Sequence, residues 1–205
     1  MTLLADNYAD RIDFFKYLPQ TDCRECGAGS CQEFVDDLKQ GGKRPEDCPD
    51  ISEGLYYPFQ VALDADKILP EFPCLTAPRP GSTGLINTPD DASPILVSGN
   101  NVHTQDVITA VLGTTKSPFF LLFTDTRGDT VDMAVILESL TVDVISSEVV
   151  KSRILQRSSH QEIVIPGLAS AMGWKVTVGP ICAAELPLFF GERWLPPVTG
   201  SIWRT

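Results

Sequence analysis

The chain has 205 residues with 27 acidic and 16 basic side chains, a net charge of −11, and is long enough for one ordinary domain or for a small and a medium one joined by a linker. An apolar fraction of 43% excludes wholesale disorder, and no apolar run approaches the ~18–20 residues that span a bilayer. The acidic balance leaves no basic stripe to displace the counterions of a nucleic acid.

The start, Met1-Thr2-Leu3-Leu4-Ala5-Asp6, has neither a basic n-region nor a long apolar core, so a cytoplasmic protein is expected. In that compartment cysteines serve as metal ligands more readily than as disulfides. Charge and cysteine are unevenly spread. Residues 1–53 carry a balance of −6, residues 54–91 one of −3 and residues 92–205 one of −2, and four of the six cysteines fall between positions 23 and 48. This predicts a cysteine-bearing domain over 1–53, a linker over 54–91 and an α/β domain over 92–205.

In chain order, Asp6 is expected to cap a helix over Tyr8–Leu18, with Ile12, Phe15 and Leu18 at helical spacing. Next come Cys23, Cys26, Cys31 and Cys48, spaced x2, x4 and x16. Gly27 and Gly29 stand where the backbone must curl and could offer amides to an anionic centre. A helix is predicted from Cys31 to Lys39, with Phe34, Val35 and Leu38 on one face and Gly41-Gly42 as its stop. Three clustered cysteines and a distant fourth are the pattern of a cubane 4Fe–4S cluster rather than of zinc, whose structural sites use two paired knuckles; zinc remains the alternative. The spacing matches neither ferredoxin run.

The linker is rich in breakers (Pro70, Pro73, Pro78, Pro80, Pro89, Pro94, Gly81, Ser82, Gly84 and Asn87), with a short helix predicted over Tyr57–Ile68. Beyond it, apolar runs at Pro94–Ser98, Phe119–Thr124, Glu162–Ile165 and Trp174–Val178 read as buried parallel strands. They alternate with helices over Thr104–Leu112, Thr130–Leu137, Ser146–Gln156, Leu168–Met172 and Ala183–Phe190. Ligands of such sheets sit beyond the carboxyl ends of the strands, which selects the loops 99–103, 125–129, 166–167 and 179–183. These loops carry no dinucleotide fingerprint, P-loop or nucleophile elbow, and no acid–base pair that would make the chain an enzyme by itself. They offer small residues and backbone amides, which suit a broad ligand held by shape.

The run Leu18–Cys31 continuing through Lys43-Arg-Pro-Glu-Asp-Cys48-Pro49 resembles the N-terminal 4Fe–4S domain of the large subunit of the corrinoid iron–sulfur protein family of the acetyl-CoA decarbonylase/synthase pathway. Pro94-Ile-Leu-Val-Ser-Gly-Asn100, Asp125-Thr-Arg-Gly128, Ile163-Val-Ile-Pro-Gly167, Val176-Thr-Val-Gly-Pro180 and Ala184-Glu-Leu-Pro187 resemble the corrinoid-binding domain of the same subunit, in the same order. The family pattern has a TIM barrel between the two modules, where this sequence has only residues 54–91.

The resemblance implies a Rossmann-like corrinoid-binding domain and two cofactors, a 4Fe–4S cluster on Cys23, Cys26, Cys31 and Cys48 and a base-off corrinoid (cobalamin). The corrinoid would contact Ser98, Gly99, Asn100, Asn101, His103, Thr104, Asp125, Thr126, Gly128, Pro166, Gly167, Gly179, Pro180 and Ala183. It further implies a carrier of methyl groups or electrons in which the cluster returns Co(II) to Co(I). The partners would be a methyltransferase or other corrinoid-dependent enzyme, a low-potential donor such as ferredoxin and, with the barrel missing, a second copy or a new partner, without nucleic acid or membrane. The alternative is an electron-transfer iron–sulfur protein whose α/β domain docks a partner enzyme.

Individual residues keep two readings each. His103 is an axial cobalt ligand or a polar residue at a helix start. Asp125 pairs with a corrin amide or caps its turn. Cys182 is a redox or ligand group or a packed thiol. His160 reads as solvated loop, Cys74 as an incidental thiol, and Trp174, Trp194 and Trp203 as packing residues.

Overall fold

The computed structural model describes residues 7–71, 77–79, 83–157, 162–172 and 177–197, with the side chains of 170–172 left out. Asp6, Cys74, His160, Trp174 and Trp203 lie outside these residues.

Among the described residues five strands form one sheet in the order β1-β3-β2-β4-β5. They are β1 (Thr83–Ile86), β2 (Ile95–Gly99), β3 (Phe119–Thr124), β4 (Ile163–Ile165) and β5 (Thr177–Val178). β2, β3, β4 and β5 run parallel, and β1 joins the β3 edge antiparallel. Every residue of β2 and β3 is buried, as continuous apolar runs in a doubly covered sheet require. Alternation divides them between two cores. Leu96, Phe119, Leu121, Phe123 and Val164 face one core, and Ile95, Val97, Phe120, Leu122 and Ile165 face the other.

The first core lies under α4 (Val102–Leu112) and α7 (Leu186–Phe190); the second lies under α5 (Val131–Ile136) and α6 (Val142–Ser152). This three-layer arrangement is the α/β fold expected from the sequence. α6 starts earlier than predicted, because Thr141 rather than Ser146 caps it through the amide of Val144 at 3.3 Å. The helix predicted over Leu168–Met172 is a 3-10 turn, Gly167–Met172, and the one over Ala183–Phe190 is a 3-10 turn, Ala183–Glu185, leading into α7.

The cysteine-bearing head departs from expectation at its start. In place of one helix over Tyr8–Leu18 stand two 3-10 turns, Ala9–Arg11 and Phe14–Tyr17, because Ile12 turns to extended backbone (φ −88°, ψ 125°). α1 (Cys31–Lys39) matches the prediction. Ser30 caps it, accepting from the amide of Glu33 at 3.1 Å, while the Glu33 carboxylate accepts from the amide of Gly29 at 2.6 Å, a reciprocal arrangement close to a capping box.

Residues 54–91, read as a linker, are in good part built into the molecule. α2 (Glu53–Leu63) and α3 (Ala65–Ile68) occupy the first half, and Phe59, Val61 and Ala62 are fully or almost fully buried. α2 packs on α7, and head, α2 and the first face of the sheet share one apolar cluster. The helix predicted over Tyr57–Ile68 falls on α2 and α3, and Pro58, buried inside α2, forfeits one backbone hydrogen bond there.

Candidate functional site

All four cysteines lie in the head. Cys23 is exposed, Cys26 half-buried, and Cys31 and Cys48 buried, and the described cysteines are free thiols. The loop carrying the first three is held in a conformation that most side chains avoid. Asp22, Arg24 and Gly27 have φ of 49°, 64° and 80°, in the left-handed region that costs a non-glycine residue energy. Asp22 secures the bend by accepting from the amide of Cys31 at 2.7 Å. Lys43 donates to the carbonyl of Cys26 at 2.8 Å and Arg24 to that of Gly29 at 3.1 Å, so two cations brace the loop from outside.

The expectation that Gly27 and Gly29 present amides to the centre is corrected. The amide of Gly27 bonds Arg24 and that of Gly29 bonds Glu33. Backbone amides instead approach a sulfur at Cys48, where those of Asp50 and Ile51 partly offset the burial that raises its thiol pKa. Among the described residues no three His, Cys, Asp or Glu side chains converge closely enough to hold a single metal ion. A cubane takes one cysteine per iron, and Cys23, Cys26, Cys31 and Cys48 are four thiols within the head.

The second feature is a cavity of about 670 Å³ at the carboxyl ends of β2 and β4, the size of small-molecule sites. The chain order reverses here. β2 leads through α4 to β3 on one side, and the chain returns to β4 on the other, which is the switch point where open α/β sheets bind ligands. Ser98, His103, Thr104, Pro166, Gly179, Pro180 and Ala183, all predicted, line it. Its walls are mainly apolar, from Leu96, Val97, Val107, Ile108, Val164, Ile165 and Leu186, with Thr130 and Asp132 as further polar points. A disc-shaped ligand with amide groups on its rim needs this mixture of apolar wall and scattered polar contact, so the lining fits a corrinoid.

The other predicted contacts stand beside the cavity, in a polar knot joining the β2 and β3 loops. Asn100 accepts from the amide and hydroxyl of Thr126, each at 3.1 Å, and its side-chain amide donates to Asp125 at 3.1 Å. Asn101 is wholly buried; it caps α4 through the amide of Thr104 at 3.1 Å and donates to the Gly128 carbonyl at 2.7 Å. Asp125 accepts from the amide of Arg127 at 2.9 Å, so it closes its own turn. Gly99 abuts Thr126, and Gly167 abuts the Gly179 carbonyl, so closely that a methyl group on either would collide. These residues shape the rim.

The head also lines the cavity, through Tyr8 and Arg11, of which the sequence shows no sign. The Tyr8 hydroxyl donates to the carbonyl of Pro70 at 2.8 Å and lies 3.3 Å from Nε2 of His103. Burial raises the Tyr8 pKa to about 12 and lowers that of His103, with Asp106 opposing the latter shift. Cys182 lines the same cavity, and burial pushes its thiol up, with the amide of Ala184 opposing. Behind it Glu185, 3% exposed, accepts from the Tyr17 hydroxyl at 2.7 Å and pairs with Lys16. The head thus closes one side of the cavity.

Comparison with known proteins matches the cysteine segment and about half of the chain. Residues 18–49 match the family model described as "Putative Fe-S cluster". The acetyl-CoA decarbonylase/synthase complex subunit gamma of Methanopyrus kandleri is 30% identical over 118 residues, 54% of this chain and 26% of that protein. Subunit gamma 2 of Methanosarcina thermophila is 30% identical over 121 residues, with the same shares. The gamma subunit of Archaeoglobus fulgidus is 26% identical over 119 residues, 54% of this chain and 25% of that protein.

The chain is a relative of these gamma subunits. It spans about a quarter of the length of the relatives it matches. The comparisons support a 4Fe–4S cluster and a corrinoid as its cofactors. Among the described residues no helix is long and apolar enough to cross a membrane.

Proposed function

We propose that the chain is a corrinoid iron–sulfur carrier, with the cluster on Cys23, Cys26, Cys31 and Cys48 and the corrinoid in the cavity at the ends of β2 and β4. The observation that carries this reading is that the cysteine-bearing head supplies Tyr8 and Arg11 to the cavity wall. The segment that carries the cysteines and the sheet that carries the cavity share one apolar cluster, an arrangement that would suit electron transfer between the two cofactors. When bound, the corrinoid supplies a cobalt that can be reduced to Co(I) and carry a methyl group, and the cluster supplies the low-potential electron.

The protein's own residues seat and enclose the ligand. Leu96, Val107, Ile108, Val164 and Leu186 present an apolar wall, while Ser98, Thr104 and Thr130 offer hydroxyls for the rim. Asn100 and Asn101 hold the β2 and β3 loops in register. Residues 179–183 form the opposite side, with Gly179 packed so closely on Val164 and the Ile165 carbonyl that a larger residue would displace them. The methyl donor or acceptor would be a separate enzyme, in keeping with relatives that are subunits of a complex. A ferredoxin-type donor would reload the cluster.

Anaerobic reconstitution tests the reading. The protein is expected to hold about four irons per chain and to take up hydroxocobalamin with a change in its visible spectrum. Cys48→Ser should lose iron while still binding the corrinoid. Full iron content with no uptake of hydroxocobalamin would reject the corrinoid half and favour an electron-transfer protein.

A further inference from the structure

The two arms that carry the cysteines are joined by a side chain that can ligate nothing in a cluster. α1 starts at Cys31 and leads out of the loop that bears Cys23 and Cys26. The chain then turns at Gly41, with φ of 73°, and returns through the 3-10 turn Pro45–Asp47 to Cys48. Lys43 stands on this return. Its amide and that of Gly42 both donate to the Asp37 carbonyl of α1, at 3.3 and 2.9 Å, so its backbone is fixed by the end of that helix. From there its ammonium reaches back 17 positions and donates to the Cys26 carbonyl at 2.8 Å. A Cβ on Gly27 would lie 3.7 Å from the same nitrogen. The charge therefore sits over the Cys26–Gly27 peptide, and only the Cα and Cβ of Cys26 separate that carbonyl from the Cys26 sulfur.

We propose that Lys43 is a positioning residue for the cluster, holding the arm of Cys26 against the arm of Cys48 and, through its charge, favouring the reduced centre over the oxidised one. This rests on the reading that Cys23, Cys26, Cys31 and Cys48 hold a 4Fe–4S cluster. Net charge and solvent exposure are among the levers that set such a potential, and reduction adds one negative charge to the centre. A cation beside Cys26 stabilises the more negative state and raises the potential. Other charges stand nearby. Asp50 lies 3.9 Å from the Cys23 sulfur, and Arg24 donates to the Gly29 carbonyl. Both are exposed, where water and salt screen them. Lys43 is half-buried, and its charge is screened less. The effect is a trade between the two electron transfers: the cluster is loaded more readily by its donor and passes its electron on with less driving force.

The test compares the full chain with Lys43→Gln and Lys43→Arg after anaerobic reconstitution with iron and sulfide. The glutamine keeps an N–H donor without the charge; the arginine keeps the charge. Iron release to a chelator reads the hold on the two arms, and a redox titration followed by electron paramagnetic resonance reads the potential. At a fixed applied potential Lys43→Gln is expected to show a reduced-to-oxidised ratio about tenfold lower than the wild type, about 59 mV for one electron, and to release iron faster. Lys43→Arg should match the wild type in both. A merely structural lysine would alter iron release and leave the potential where it is.

An unchanged potential in fully loaded Lys43→Gln, or the same downward shift in Lys43→Arg, would overturn the proposal. If Lys43→Gln holds no cluster at all, Lys43→Arg decides. A cluster retained there at the wild-type potential upholds the need for a cation at this place, and a cluster lost there too sinks it. A wild-type chain that takes up no iron rejects the cluster reading and the role of Lys43 with it. A loaded wild type whose potential does not respond to the charge at this position rejects the role of Lys43 alone.

Discussion

Asn101 and His103 are two positions apart and are buried for different reasons. Asn101 sits at the entry of α4 with both ends of its amide engaged. Asn101→Ala removes a helix cap, worth about 1 kcal/mol, and leaves the Gly128 carbonyl unpaired, about 1–3 kcal/mol more; denaturant unfolding should register a loss of roughly 2–4 kcal/mol. At His103 burial favours the neutral ring, so its folded pKa lies below its unfolded one. The unfolded chain then binds the proton more tightly. The contribution to stability is complete above the ordinary imidazole value of about 6.5 and is lost as pH falls through the lower folded value. Urea midpoints measured from pH 8 to pH 5 should fall more steeply for the wild type than for His103→Gln; parallel curves would contradict the burial effect. The sequence placed His103 after the first strand but could not show which residue faces it. Its partner Tyr8 is 95 positions away, and no local pattern encodes such a contact.

At the scale of elements, the apolar runs of β2, β3 and β4 were legible because a strand covered on both faces must be apolar throughout. β1 was missed. Thr83-Gly84-Leu85-Ile86 is short, contains glycine and alternates in burial between exposed and intermediate, so its strand character comes from pairing with β3. The loops after β2 and β3 owe their shape to Gly128, which has φ +84° and where a Cβ would lie 2.5 Å from the Pro78 nitrogen. Pro78 in turn bridges Asn101. Gly128→Ala therefore adds a backbone collision to the left-handed cost of about 1–2 kcal/mol. It should destabilise the protein by more than that figure, with the amide exchange of residues 99–103 accelerated. An alanine variant as stable as the wild type would show that the 77–79 segment is not held against this loop.

At the scale of the whole molecule, the head and the α/β body behave as one packed unit. They share an apolar cluster that runs from Phe14 and Phe34 through Phe59 to Phe119 and Trp194, and no single hydrogen bond is needed to join them. One cooperative unfolding transition is expected, with probes in head and body coincident; separate transitions would restore the picture of a loosely tethered cluster domain. Glu185 is the polar part of the joint. Glu185→Ala leaves the Tyr17 hydroxyl without its carboxylate and frees Lys16, which is already 45% exposed. The loss should be about 1–3 kcal/mol, accompanied by faster proteolysis within residues 8–18.

The sequence by itself determined the set of four clustered cysteines and the covered parallel sheet. Four cysteines at their spacing define a thiolate set, and uninterrupted apolar strands followed by small-residue loops define a covered parallel sheet with its ligand edge at the strand ends. Both are local properties, carried by residue type and short-range periodicity. Only the tertiary structure decided that the segment after the cysteines is core rather than tether, that Tyr8 and Arg11 complete the cavity, and that Asn100 and Asn101 brace loops beside it. Those outcomes depend on which distant surfaces meet, and burial of Phe59 and its neighbours against α7 settles that meeting. The free energy of that burial belongs to the pair of surfaces and is written in neither segment alone.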